Sequence, residues 1–431
     1  ELYAIAVEAI EAKKRNWFGI YMSSPGSILY SAGALMEMYV PLLEKLHALA
    51  ERSVLTFTAP GFRRFFSMLT AELCDEYFRE IQGHLGALKF RDGVLISSKL
   101  ASGCEASAHV LRISDKPREN WLKRLLSARS PTYSFSVSPR DEAGCQALDE
   151  IRNRGLNCAA NALARAADHI ESFFTVLRAE LSFYIGCLNA REQLRRLGEP
   201  LCFPDAHEQG SLSNRFCGLY NACLSLHLRR KTVGNDMDGV NHNPIIITGV
   251  NEGGKSTFLR SLGTAQIMMQ CGMFVPAVSF SAGILSGVFT HFRRKEDRTM
   301  SSGKFDEELA RMSSIADQLR PRALMLFNES FAATNEREGS DIAGQICSAL
   351  TEQGVRVVFV THLYTFARDI AASAQKENPE SILMETPCTP LFLKAERRSD
   401  GSRTFILRPG EPAPKSHGED LYRRVFGTEE T

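Results

Sequence analysis

Apolar residues in the first ~85 positions recur at helical spacing, as in Leu35, Met38, Val40, Leu43 and Leu46, with Pro25-Gly26 and Pro60-Gly61 as punctuation. This predicts a helical region. Over residues 87–136 the pattern shifts to short strands, Val94-Leu95-Ile96-Ser97 and His109-Val110-Leu111-Arg112-Ile113, with a helix interposed near Trp121. Ser138-Pro139 then has the form of an N-cap followed by a first-turn proline, with Asp141 and Glu142 placed to favour a helix start. A long helix is expected next. Cys158, Leu163, Ala166, Ile170, Phe173, Leu177, Leu181, Tyr184 and Leu188 recur three to five residues apart, and Arg195, Arg196, Gly198 and Pro200 supply stop signals. Unbroken over residues 143–197 it would be about 80 Å long at 1.5 Å per residue. Gly155 could interrupt it. Such a stripe fits a core-facing helix in a bundle or a lever joining two distant parts.

From about residue 211 strands and helices alternate. Candidate strands are Ile245-Ile246-Ile247, residues 323–327 and residues 357–360, each followed by a helical stretch, the pattern of a doubly wound α/β layer. A hairpin pairing residues 391–395 with residues 404–407 is expected to turn at Ser399-Asp400-Gly401. The predicted organisation is a helical core with a mixed β insert over residues 1–137 (insert about 87–136), a lever-like helix and connection over 138–210, and an α/β domain over 211–431.

Composition narrows this only slightly. The 431 residues suffice for two or three domains, and the apolar and charged fractions are those of ordinary globular proteins. A formal net charge of +1 gives no basic surplus, so any nucleic-acid contact must come from a local patch or from geometry. The eleven cysteines form no Cys-x-x-Cys pair or zinc-finger cluster, which fits free thiols in a reducing cytosol. No apolar run reaches the ~18 residues of a membrane span. The chain begins at Glu1 without a methionine, which leaves an N-terminal signal open.

The strongest chemical signal is Gly249-Val-Asn251-Glu-Gly253-Gly254-Lys255-Ser256-Thr257, a G-x-x-x-x-G-K-S directly after a predicted strand. Its glycines let backbone N–H groups approach phosphate oxygens, and the following helix adds its positive end. Lys255 reaches the β- and γ-phosphates, and Ser256 offers a hydroxyl to Mg²⁺. A second strand ends in Phe327-Asn328-Glu329, where Glu329 is placed to polarise an attacking water and Asn328 stands where an Asp would hold the metal shell. The alternative is a core strand with a polar end. A third strand ends in Thr361-His362, either a satisfied histidine or a γ-phosphate partner.

The segment from Thr248 to Thr257 resembles the MutS P-loop, and the order continues with Phe274-Val-Pro-Ala277. Ser301-Ser302-Gly303-Lys304 is similar to the family's signature loop, Asn335 to Ser340 to the loop after Walker B, and Ser416-His-Gly418 to its S-Y-G segment. The motifs run over roughly residues 215–427, and over 1–210 the likeness is architectural. The resemblance implies an ABC-type ATPase using ATP and Mg²⁺, with Glu329 activating water and His362 sensing the γ-phosphate. It also implies a homodimer in which Ser302 and Gly303 complete the partner's site, and a double-stranded or branched DNA ligand. Without contact to nucleotide, Ser301 to Lys304 would be a polar loop, and Arg293-Arg294-Lys295 reads more simply as a solvated face. Asn328 departs from the family's Asp. Phe78-Arg-Glu80 spells the family's mismatch-reading Phe-x-Glu but falls in a predicted helix, so no mismatch-reading domain is assigned. The competing functions are an ATP-gated scaffold with a protein or RNA partner, favoured by the neutral charge, and a small-molecule kinase, which leaves Glu329 and His362 unexplained.

Overall fold

The computed structural model describes residues 1–15, 24–91, 93–101, 106–112, 133–208, 214–249, 252–293, 303–376, 388–398 and 402–412. The chain divides into two compact units, Glu1–Gly186 and Cys187–Thr431.

The first unit is mainly helical: α1 (Leu2–Arg15), α2 (Pro25–Ser53), α3 (Pro60–Glu72), α4 (Asp75–Leu88) and most of α5 (Glu142–Arg196), with a two-stranded antiparallel ribbon, β1 (Leu95–Leu100) and β2 (Ala106–Arg112). Ser24 caps α2 by accepting from Ser27 N at 3.3 Å, and Pro25 occupies the first turn, where its missing N–H costs nothing. Leu43, Leu46, Phe66, Leu69 and Phe174 then meet in one core, where Tyr39 and Phe174 tilt against each other at 6.0 Å. Phe78 is buried in that core, edge-on to Tyr77, so its Phe-x-Glu spelling belongs to packing.

One detail of α5 differs from expectation and another decides between alternatives. The capping side chain is Asp141, whose Oδ1 accepts from Gly144 N at 2.9 Å, and Ser138 instead accepts from Arg140 N in the turn before it. The helix also runs through Gly155 without a break. A Cβ there would stand 2.6 Å from Ile96 Cδ1, so the glycine admits the strand side chain rather than ending the helix. The buried stripe falls on Leu156, Ala160, Ala167, Phe174 and Leu177, while Cys158 and Tyr184 are exposed. Ile113, the segment near Trp121 and the turn Ser399-Asp400-Gly401 lie outside the described residues.

The second unit holds two sheets. A four-stranded sheet has the order β3 (Asp205–His207), β7 (Ser279–Gly283), β4 (Asn214–Leu219), β5 (Asn235–Asp238). The short helix α6 (Ala222–Leu228) lies between β4 and β5 in sequence. A six-stranded sheet has the order β12 (Arg403–Pro409), β11 (Thr389–Arg397), β6 (His242–Thr248), β10 (Arg356–Val360), β9 (Leu324–Asn328), β8 (Val288–Phe292). All its neighbours are parallel except the β11–β12 hairpin, which pairs Ala395 with Leu407. Both faces are covered, which explains why the central strands read as continuous apolar runs. Ile245, Ile247, Leu326 and Val358 pack on α7 (Lys255–Gln270) through Phe258, Leu259 and Leu262. Ile246, Met325, Phe327 and Phe359 face α8 (Lys304–Ala316), α9 (Glu336–Glu352) and α10 (Tyr364–Lys376) through Met312, Ala343, Cys347 and Phe366. β8 and the four-stranded sheet went unpredicted, because their short strands lack an uninterrupted apolar run.

Candidate nucleotide site

Three parallel neighbours carry the site. Val360 of β10 pairs with Ile247 of β6 on one side and with Asn328 of β9 on the other, so the loops after all three strands leave one edge of the sheet. Ligands of open α/β sheets bind at such carboxyl-terminal edges.

After β6, Gly249 (φ +116°) and Gly254 (φ +93°) adopt conformations that an L side chain rarely takes. A Cβ on Gly249 would meet the Ala395 backbone N at 3.0 Å. Gly254 precedes α7, whose first residue is Lys255. The Lys255 side chain is only 4 % exposed and donates to Gly249 O at 2.7 Å. Burial holds its ammonium pKa down, to about 8, with the Glu329 carboxylate opposing.

Ser256 Oγ donates to Asn328 Oδ1 at 2.7 Å. The next residue, Glu329, has φ +55° and donates its own N–H to Val360 O at 2.8 Å. His362 Nε2 lies 3.1 Å from Glu329 Oε1 and 3.3 Å from Lys255 Nζ. A single ring nitrogen serves these neighbours one at a time: protonated it donates to Glu329, unprotonated it accepts from Lys255. The His362 hydrogen bond is the main cause that keeps the Glu329 carboxyl below the usual range, against the opposing effect of burial.

A cavity of about 450 Å³ opens beside this cluster. Glu252 to Phe258, Ser261 and Glu329 line one side, and Asn221, Arg230, Lys231, Thr232, Asn235 and Phe405 are among the residues that line the other. Asn235 braces Phe405 by donating to its carbonyl at 3.1 Å and accepting from Leu407 N at 2.7 Å. These wall residues were missed in the sequence, because they come from loops and a hairpin with no motif of their own.

The structure thus gathers Lys255, Ser256, Asn328, Glu329 and His362, with Gly253, Gly254 and Thr257 on the cavity wall. Gly303 stands at the N-terminus of α8. Asn251 and Ser302 lie outside the described residues, as do Ser301, Arg294, Lys295 and Ser416 to Gly418. Arg293 is exposed, and Asn335 caps α9 by accepting from Glu338 N at 2.9 Å. Among the described residues no group of three or more His, Cys, Asp or Glu could hold a metal ion. A hard cation here would have to share its shell among the Ser256 hydroxyl, the Asn328 amide oxygen, water and ligand oxygens, with a neutral amide where Mg²⁺ beside phosphates ordinarily has a carboxylate.

Comparison with known proteins agrees with this layout. Residues 1–197 match the MutS2 N-terminal domain and residues 245–405 match MutS domain V. The chain is 31 % identical over 183 residues to the DNA mismatch repair protein MutS of Chlorobaculum tepidum, covering 42 % of this chain and 21 % of that protein. It is 31 % identical over 164 residues to the endonuclease MutS2 of Lactiplantibacillus plantarum (36 % and 21 %), and 35 % identical over 154 residues to that of Lacticaseibacillus casei (34 % and 20 %). The matched stretch thus spans about a fifth of these relatives' length. With both matches in chain order and the sheet-edge cluster inside the second, the chain belongs to the MutS family.

Proposed function

We propose that the second unit is an Mg²⁺-dependent ATPase of the ABC type, and that the chain couples ATP binding to an action on DNA. The observation that carries this reading is the meeting of Lys255, the Ser256–Asn328 pair, Glu329 and His362 at one sheet edge, beside a cavity large enough for a nucleotide. Backbone N–H groups at the start of α7 hold phosphate oxygens, aided by the helix dipole. Lys255 adds a buried cation at the β- and γ-phosphates. Ser256 and Asn328 would hold Mg²⁺ beside the phosphates, where it would supply positive charge against that developing on their oxygens. Glu329, ionised at neutral pH, orients a water and draws its proton, while His362 contacts the terminal phosphate.

Two copies of the ATPase unit form a homodimer in which Ser302 and Gly303 of one complete the site of the other, so that ATP closes the dimer in the reducing cytosol. The relatives' names, a DNA mismatch repair protein and an endonuclease, support a double-stranded or branched DNA partner. The absence of a basic surplus favours instead a scaffold with a protein or RNA partner.

Binding to homoduplex, mismatched and branched DNA, measured over a salt series with and without ATP, separates the two. Affinity that falls steeply with salt and changes with ATP supports the DNA reading. Failure to bind any of the three in either state overturns it. Mixing Lys255→Ala with Ser302→Arg chains tests the dimer, because each variant spoils a different half of a site: hydrolysis returns only if subunits share sites.

A further inference from the structure

The segment that carries Glu329 is held from three sides. Glu329 and Phe331 both have positive φ, +55° and +63°, a conformation that costs non-glycine residues of order 1–3 kcal/mol each and persists only where the surroundings enforce it. The first restraint is Glu308 of α8, 1 % exposed, whose Oε2 accepts the Phe331 N–H at 2.9 Å. The second is His291 at the end of β8. Its carbonyl accepts from Ser330 Oγ at 2.7 Å, and its Nδ1 lies 2.7 Å from the same hydroxyl oxygen, while its ring stacks on Phe331 at 5.4 Å. The third is α9, where Gly339 leaves room for the Phe331 carbonyl: a Cβ would stand 2.3 Å from that oxygen.

Of these, Glu308 is the costly one. Its carboxyl is buried on the same helix as Met312, and burial pushes its pKa up against the opposing Phe331 N–H and the charges of Arg311, Arg293 and Lys304. A carboxylic group placed there without a partner would favour unfolding, so its bond to Phe331 N sets the backbone geometry in return for that cost. The consequence reaches Glu329 directly. Its side chain leaves a backbone whose downstream anchor is the Glu308 oxygen and whose upstream anchor is the Glu329 N–H to Val360 O bond at 2.8 Å. On this backbone the carboxylate meets His362 Nε2 at 3.1 Å and lies within the field of the Lys255 ammonium.

We propose that Glu308 is a positioning residue for hydrolysis: by holding the Phe331 N–H it fixes the Glu329 carboxylate on the attacking water. The proposal rests on Glu329 activating water, as set out above. Glu308 does not line the cavity beside the phosphate loop and belongs to α8, the helix that Gly303 opens, so it sits on a different element from that loop.

The test uses the full chain with Glu308→Gln, whose amide oxygen still accepts, and Glu308→Met, of similar size with no acceptor. Glu329→Gln serves as comparator. Calorimetric ATP·Mg²⁺ binding, single-turnover hydrolysis and hydrogen exchange at the Phe331 amide are measured on each. The expected result is that Glu308→Met binds ATP within about twofold of the parent, exchanges the Phe331 amide faster, and hydrolyses at least about tenfold more slowly. Glu308→Gln keeps slow exchange and most of the turnover. Two outcomes overturn the proposal: Glu308→Met hydrolysing at the parental rate, or both variants losing turnover and nucleotide affinity together, as a merely structural residue would. If Glu308→Met does not fold, Glu308→Gln decides alone: protected exchange with lost turnover overturns it. Parental turnover unaffected by Glu329→Gln would instead remove the water-activating reading.

Discussion

The Ser256 hydroxyl donates to the Asn328 side-chain carbonyl at 2.7 Å, tying the first turn of α7 to the end of β9. A neutral amide therefore occupies the place from which a carboxylate would add charge to a metal shell. Asn328→Asp should lower the half-saturating Mg²⁺ concentration by about tenfold, equivalent to ~1.4 kcal/mol, a modest part of what a unit charge a few ångströms away supplies at intermediate dielectric. The Mg²⁺ dependence of single-turnover hydrolysis checks this. An unchanged midpoint and rate would make the substitution silent.

Glu329→Gln should leave ATP affinity within about twofold and slow hydrolysis by roughly 10²-fold or more, because the amide cannot take a proton from water. Calorimetry paired with single-turnover rates separates the two effects. Turnover equal to the parent's would remove Glu329 from the mechanism.

Lys255 sets a pH limit. With its pKa held near 8, the lysine is mostly charged at neutral pH and loses its proton as pH rises through that value. Phosphates bind the charged form, so ATP affinity should be full below about pH 8 and fall above it by up to about tenfold per pH unit. Without nucleotide the sign reverses for stability. Between about 8 and the ordinary lysine value the unfolded chain binds more protons here, so the cost of burying this charge fades as pH rises. ATP titrations from pH 7 to 10 on the parent and on Lys255→Arg, which keeps its charge throughout, provide the measurement. Parallel profiles would show that another group governs the fall.

Gly339→Ala tests the room left for the Phe331 carbonyl. Alanine gains about 1 kcal/mol over glycine in a helix, yet the Cβ would meet a backbone oxygen at 2.3 Å, where no side chain can turn aside. Overpacking of this kind costs about 1–3 kcal/mol and should win, giving a net loss of up to about 2 kcal/mol with slower hydrolysis. Denaturant unfolding checks the sign. A stabilised variant would mean that the turn yields easily.

Short-range information in the chain was enough for much of this. The apolar run of Ile245-Ile246-Ile247 before a glycine loop, the strand ending in Asn328-Glu329 and the one ending in Thr361-His362 are local patterns, and each appears where its pattern indicates. A 55-residue helix was likewise legible from its apolar recurrence and stop signals, because helix formation depends on neighbours three and four residues away. What remained hidden depends on residues distant in sequence. Whether Gly155 interrupts that helix was left open by the sequence, and the packing of Ile96 explains the glycine. Glu308 carried no signal in the sequence beyond following the first-turn acids Asp306 and Glu307, although a polar residue beside the apolar Leu309 and Met312 was the available clue. That β10 lies between β6 and β9, bringing Lys255, Glu329 and His362 to one edge, was decided by tertiary structure alone. Strand order follows from the burial of both sheet faces by helices that the chain supplies far apart, and no local pattern of residues records which strands become neighbours.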